Sequence, residues 1–78
     1  MVRVRLFAAL REAAGASEVE VRAGRLGDIL AGLEDRYGER FATVLGYASV
    51  LVDGGREDLA AEVPDGAEIA LLPPFSGG

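Results

Sequence analysis

The sequence predicts an α+β fold in which one long helix crosses a sheet of four or five strands. Apolar residues alternate with arginines over 2–6, as in a strand with one buried face. Over 67–72, Ala67, Ile69 and Leu71 alternate with Glu68, Ala70 and Leu72, which predicts a second strand. Between these segments, over 26–37, apolar residues recur every three or four positions, which places them on one side of a helix. Half of the 78 residues are hydrophobic, which is enough for a modest core.

The beginning of the chain predicts a strand, a short helix and a second strand. Apolar residues alternate with arginines over 2–6, and the same alternation places Phe7 on the exposed face of this strand. Good helix formers over 10–14 are followed by Gly15, which suits the left-handed position after a short helix. Residues 17–22 alternate again, and two strands joined by so short a connection are expected to be antiparallel neighbours.

The main helix is predicted over 26–37, and Gly38 is expected to end it. Its start is poorly capped, because Arg25 offers no acceptor to the first N–H groups and only Asp28 complements the positive helix end. Residues 39–46 are expected to form a turn of irregular helix that contributes core side chains.

Two turns and two strands are predicted in the rest of the chain. Residues 49–52 form a short strand, and Asp53-Gly54-Gly55 supplies the positive-φ residues of a tight hairpin turn. Pro64-Asp65-Gly66 is a second turn, followed by the last strand over 67–72. Pro73-Pro74 ends this strand because proline cannot donate to a sheet ladder.

The composition narrows the chemistry open to the chain. It contains no cysteine and no histidine, so it lacks thiol nucleophiles, the commonest general base and the commonest metal ligands. We therefore expect no metal site and no autonomous enzymatic activity. All eight cationic side chains are arginines, so the chain has no lysine ε-amine to which another copy could be attached.

Charge and hydropathy indicate the environment and the partners. The net charge of −5 argues against sequence-independent nucleic-acid binding, which needs clustered cations. The longest uninterrupted apolar run, over 6–10, is too short for a signal-peptide core or a membrane span. We expect a cytoplasmic protein with protein partners.

The C-terminal residues are the most informative feature. We expect a single domain over 1–72 and a flexible tail over 73–78. Pro73-Pro74 would hold the tail extended and lower the entropy lost when it enters a channel. Gly77 and Gly78 have no side chains, so a carboxylate on Gly78 could reach a narrow active site of another protein.

The chain resembles the MoaD/ThiS group of ubiquitin-like sulfur carriers, most closely its molybdopterin-synthase branch. The ending Pro-Pro-x-Ser-Gly-Gly, which includes Phe75 and Ser76, is the most specific part of the resemblance. The resemblance covers essentially the whole chain and implies a β-grasp fold, with a mixed sheet of four to five strands and one main helix packed across it. The segments that carry it are 4–15, 26–30, 52–54, 64–69 and 73–78.

The resemblance also implies a function for the tail. An E1-like adenylating enzyme of the MoeB type would use ATP to adenylate the Gly78 carboxylate, and a sulfur donor such as a cysteine desulfurase or rhodanese would convert it to a thiocarboxylate. A molybdopterin synthase large subunit of the MoaE type, in a heterotetramer, would use this sulfur to convert precursor Z to the dithiolene of molybdopterin. The chain itself would bind no cofactor and would be a non-catalytic subunit.

A docking surface for these partners is expected away from the helix. Phe7, Leu72 and Phe75 are candidates because they are large and apolar, and Arg11 and Arg56 are candidates to flank them. The alternative is that Phe7 and Leu72 only cover a shallow sheet face. Isolated exposed arginines are also more commonly just solvated.

Three other functions remain open on the sequence. The same Gly-Gly chemistry would serve a carrier for thiamine synthesis or for tRNA thiolation. A ubiquitin-like modifier would instead join its C-terminus to target lysines, and a plain β-grasp binding module would make no use of the tail.

Overall fold

The computed structural model describes residues 1–74, which contain seven strands and three helices. The predicted main helix has the bounds 26–37 that its apolar spacing indicates, and the two shorter helices flank it in sequence. In chain order the elements are β1 (Val2–Leu6), α1 (Ala8–Ala14), β2 (Glu18–Val21), β3 (Gly24–Arg25), α2 (Leu26–Tyr37), α3 (Glu39–Leu45), β4 (Ser49–Val52), β5 (Gly55–Arg56), β6 (Glu62–Val63) and β7 (Glu68–Leu72).

The main sheet has five strands in the order β2-β1-β7-β4-β5. The central pair, β1 and β7, is parallel, whereas β2 on one side and β4 and β5 on the other are antiparallel to their neighbours. This mixed sheet, covered on one face by helices, is the expected ubiquitin-like β-grasp arrangement. The antiparallel pairing of β1 with β2 also confirms the prediction made from their short connection.

The core lies between the sheet and the helices. β1 buries alternate residues, and β7 does the same with Ile69 and Leu71. The stretch after Gly38 is a regular short helix, α3, which buries Phe41 and Leu45. The Phe41 ring lies 5.2 Å from that of Tyr37, centroid to centroid. The buried apolar residues are Val2, Val4, Leu6, Leu10, Leu26, Ile29, Leu33, Phe41, Leu45, Val63, Ala67, Ile69 and Leu71.

Backbone carbonyls from a distant loop cap the start of α2. The Arg25 side chain makes no cap hydrogen bond and instead pairs with Asp28 at 3.3 Å. The N–H of Leu26 donates to the Ala61 carbonyl at 2.9 Å, and that of Gly27 donates to the Leu59 carbonyl at 2.8 Å. The small sheet of β3 and β6, which the sequence analysis did not predict, joins this loop to the helix start. The loop therefore supplies acceptors that the sequence next to the helix lacks.

The predicted turns are confirmed. In the β4–β5 hairpin, Val52 faces Gly55, and the two residues between them have positive φ: 48° at Asp53 and 83° at Gly54. Positive φ at both positions is the type I′ geometry favoured in hairpins. In the second turn Gly66 has a φ of 88° and the Ala67 N–H donates to the Pro64 carbonyl. No helix within residues 1–74 combines the length and the apolar character needed to cross a bilayer.

Candidate docking face and tail root

The face of the sheet opposite the helices carries an apolar patch where β7 ends. Strand alternation puts Ala70 and Leu72 on this outer face, because Ile69 and Leu71 point into the core. Leu51 pairs with Ala70, so it shares this face. Arg56 pairs with Leu51, while Phe7 follows the paired residues Leu6 and Leu71 and therefore adjoins Leu72. We call Phe7, Leu51, Arg56, Ala70 and Leu72 the outer patch.

The outer patch is partly exposed and has cationic side chains at its border. Phe7, Leu51 and Leu72 are half-buried, although the helices cover only the other face of the sheet. The Arg5 guanidinium lies 5.4 Å from the centroid of the Phe7 ring, a cation–π contact that holds a positive charge beside the patch. Arg56 is exposed on the opposite side of the patch. The arrangement suits a partner with an apolar surface bordered by acidic groups.

The other part of the outer face is occupied by ion pairs. Arg3 Nε lies 3.2 Å from Glu18 Oε2, and Arg3 Nη1 lies 3.7 Å from Glu68 Oε2. All three side chains are about half exposed, so these contacts add little stability. Their charges are already paired within the chain. The apolar part of the outer face is therefore concentrated at the end of β7 that leads to the tail.

The local backbone fixes the position of Phe7 and the point at which the tail leaves the sheet. Phe7 is in extended conformation, and the chain turns into α1 at Ala8, which has a φ of 50°. Such a left-handed residue is uncommon outside glycine, asparagine and aspartate, and it marks an abrupt change of direction. After the end of the neighbouring strand β7, Pro73 is half-buried and Pro74 is exposed. The chain thus reaches residue 74 next to the outer patch.

The structure brings together some of the candidate residues and separates others. Phe7, Leu72 and Arg56 share the outer face, as the docking hypothesis requires. Arg11 is exposed on α1, outside the strands that form the patch. The remaining candidates, Phe75, Ser76, Gly77 and Gly78, lie outside the described residues. Sequence reasoning missed Leu51 and Ala70, although the alternation of their strands carried that information.

Four grooves in the described chain all lie away from the outer patch. The groove between the β2–β3 connection and α2 has a volume of about 540 Å³ and is lined by residues that include Arg22, Arg25, Asp28 and Arg36. Arg25 and Asp28 already pair with each other there. Within residues 1–74, no group of three or more His, Cys, Asp or Glu side chains is placed to hold a metal ion, and no polar or charged residue is buried.

The fold and the outer patch together define a ubiquitin-like β-grasp protein. The sequence model of the ThiS family matches residues 4–78, which is nearly the whole chain. The chain therefore belongs to the ThiS family of ubiquitin-like sulfur carriers, as the resemblance of its motifs indicates. A search of the curated proteins found no significant match.

Solved structures support this assignment over the full length of the chain. Small archaeal modifier protein 1 (SAMP1) from Methanosarcina acetivorans is 34% identical with a TM-score of 0.85, and the match covers 99% of this chain and 95% of that one. A chain of the Amycolatopsis orientalis BexX/CysO complex is 26% identical with a TM-score of 0.82, with complete coverage of both chains. A chain in the complex of subunits 1 and 2 of molybdopterin-converting factor from Helicobacter pylori is 27% identical with a TM-score of 0.75, covering 99% and 97%.

Proposed function

We propose that this chain is the sulfur-carrier small subunit of a molybdopterin synthase. The observation that carries the proposal is the family match, which extends to Gly78 and so includes the ending Pro-Pro-x-Ser-Gly-Gly typical of the molybdopterin branch. The likeness to a chain in the complex of the two subunits of molybdopterin-converting factor supports the same pathway.

The proposed chemistry takes place on the Gly78 carboxylate. A carboxylate is a poor electrophile, so an E1-like enzyme first transfers AMP from ATP to it and releases pyrophosphate. The terminal sulfur of a persulfide on the donor protein then attacks the acyl carbon and displaces AMP, which gives an acyl disulfide. A second thiol cleaves its S–S bond, so that the thiocarboxylate stays on Gly78 and the donor sulfur leaves as a disulfide with that thiol. This group supplies sulfur to precursor Z in the active site of the large subunit.

The residues of this chain supply recognition and delivery in that scheme. The outer patch docks on the partner, and the glycines at the end of the tail present no side chain to the walls of a narrow channel. The side chains that catalyse each step belong to the partners, since this chain has neither histidine nor cysteine. Two of the solved structures with this fold, from Helicobacter pylori and Amycolatopsis orientalis, are complexes of two different proteins, which supports a carrier that works by docking.

Reconstitution tests the pathway directly. The thiocarboxylated chain is mixed with the molybdopterin synthase large subunit and precursor Z, and the dithiolene product is measured. The proposal expects product with this large subunit and none when the chain lacks Gly78. Sulfur transfer to a thiazole synthase or a tRNA thiolase, without transfer to precursor Z, would assign the carrier to another pathway.

A ubiquitin-like modifier is the second candidate, because the chain is 34% identical to a small archaeal modifier protein. In that case Gly78 would form an isopeptide bond with a lysine of another protein, since this chain has none. Mass spectrometry of tryptic peptides from cells distinguishes the two. A modifier leaves C-terminal remnants on lysines of other proteins, whereas a carrier shows sulfur in place of oxygen at its own C-terminus.

A further inference from the structure

We infer that Tyr47 is a second docking residue at the root of the tail and contacts the enzyme that adenylates Gly78. The inference rests on the proposed function, since it concerns the partner of that same tail. Tyr47 lies in the turn between α3 and β4, and neither the docking hypothesis nor the outer patch includes it.

The sheet register places Tyr47 near the end of β7, where the tail begins. β4 runs antiparallel to β7, and its first residue, Ser49, pairs with the last residue of β7, Leu72. Tyr47 precedes Ser49 by two residues, just as Pro74 follows Leu72 by two. Phe7 occupies the other side of β7, through the pairing of β1 with β7. The two aromatic residues therefore flank the strand from which the tail continues.

The backbone of Tyr47 is held in place. Its N–H donates to the Val44 carbonyl at 3.0 Å, and the N–H of Ala48 donates to the Leu45 carbonyl at 3.1 Å. Leu45 is itself buried in the core, so the turn is anchored to the helix layer. A tyrosine on a fixed backbone loses little entropy on binding, because only two side-chain torsions remain to be ordered.

The exposure of Tyr47 distinguishes it from the other surface apolar residues. The residue is 72% exposed, the largest value among the exposed large hydrophobic residues of the described chain. The others are Met1, at the far end of β1, and Leu59, on the helix side of the molecule. Among residues 1–74, Tyr47 alone combines high exposure with a position at the tail root. Tyrosine is enriched among residues that dominate binding energy, because its ring buries a large area while its hydroxyl stays hydrogen-bonded.

This position defines what the partner must offer. The adenylating enzyme needs an apolar recess beside the entrance to the channel that receives the tail, with a polar group near the rim for the phenol hydroxyl. Docking at Phe7 and Tyr47 would then fix the strand from both sides while the tail extends into the channel. Tyr47 acts through binding in this scheme and takes no part in the reaction at Gly78.

The test is the steady-state rate of ATP–pyrophosphate exchange by the adenylating enzyme at varied concentrations of the carrier. Tyr47→Ala is compared with wild type and with Leu59→Ala, a matched control that truncates a comparably exposed side chain on the other side of the molecule. We expect Tyr47→Ala to raise KM about tenfold with kcat unchanged, the pattern of a lost uniform binding contact. Leu59→Ala should leave both constants within about twofold of wild type. Thermal unfolding of each variant shows that the fold is intact.

Equal KM values for Tyr47→Ala and Leu59→Ala would overturn the inference. A fall in kcat without a change in KM would also overturn it, because it would place Tyr47 in the reaction step. Tyr47→Phe keeps the ring, and a KM below that of Tyr47→Ala would assign part of the contact to the ring. Failure of the adenylation at Gly78 on which the proposed function depends looks different, since wild type itself would then support no exchange or deletion of Gly78 would leave exchange unchanged. An error in the sulfur acceptor alone would leave exchange intact and would appear in the reconstitution with precursor Z.

Discussion

Gly27 lies against the backbone of Leu59. A Cβ built at Gly27 would be 3.3 Å from the Leu59 carbonyl oxygen, and the Gly27 N–H donates to that same oxygen at 2.8 Å. The close approach lets the loop before β6 act as the cap of α2. Glycine ordinarily lowers helix stability, and this close contact explains why one lies near the start of α2.

Replacing Gly27 and Gly32 separately tests this role. Both glycines lie in α2, but a Cβ at Gly32 meets nothing within 4 Å. Gly32→Ala should raise the free energy of unfolding by about 0.5–1 kcal/mol through helix propensity. Gly27→Ala should be less stable than Gly32→Ala by at least about 1 kcal/mol, because its methyl group pushes the capping carbonyl away. Urea denaturation measures both, and equal gains would show that the contact does not constrain the helix.

Asp53 combines two roles in the β4–β5 hairpin. It adopts a φ of 48°, and its Oδ1 accepts a hydrogen bond from the Glu68 N–H at 2.9 Å. Asp53→Ala should lower the free energy of unfolding by about 1–2 kcal/mol, because alanine disfavours positive φ and cannot accept the bond. Asp53→Asn should cost less than about 0.5 kcal/mol, since asparagine tolerates this conformation and keeps an acceptor. A loss as large for asparagine as for alanine would contradict this explanation.

Local patterns predicted the main elements well because the spacing of apolar residues and the positions of glycines depend on which side of each element is buried and where it ends. The apolar spacing of α2 and the glycine after it fix both helix ends, so the predicted bounds 26–37 are confirmed. The hairpin at Asp53-Gly54 is confirmed for the same reason, since few residues accept positive φ. Alternation also placed Phe7 and Leu72 on the faces of their strands away from the core. The pairing of β1 with β7 brings these two residues side by side.

The features that sequence reasoning missed depend on contacts between distant segments. β3 and β6 have two residues each, too few for an alternation to be read. Arg25 predicts a poor helix cap, but the carbonyls that replace the cap belong to Leu59 and Ala61, far along the chain. Tyr47 lies in a turn without periodicity, and only the pairing of β4 with β7 shows that it is near the tail root.

If the outer patch is the docking surface, replacing one of its apolar residues should lower the affinity for a partner, and replacing an apolar residue elsewhere should not. Leu72→Ala removes the apolar group nearest the tail, and we expect Kd for the molybdopterin synthase large subunit to rise about tenfold. Calorimetric titration measures the change, with Leu59→Ala as the control because Leu59 lies on the helix side. The patch would not be the docking surface if both variants bound as tightly as wild type.

The ion pairs of Arg3 should contribute little to stability. Its contacts with Glu18 and Glu68 lie on an exposed face, where solvent and salt screen them. Arg3→Gln should therefore lower the free energy of unfolding by less than about 1 kcal/mol, and by less still in 1 M salt. Urea denaturation at low and high salt gives both values. A loss well above 1 kcal/mol that persists in high salt would mean that Arg3 has a packing role instead.

Intact-mass analysis of the chain shows whether Gly78 carries sulfur. The chain is incubated with ATP, the adenylating enzyme and a sulfur source, and parallel reactions omit one component each. We expect a mass gain equal to one sulfur in place of one oxygen, located at Gly78 by fragmentation and absent whenever ATP or the enzyme is omitted. An unchanged mass in the complete reaction, under conditions in which the same enzyme thiocarboxylates a known carrier, would contradict it.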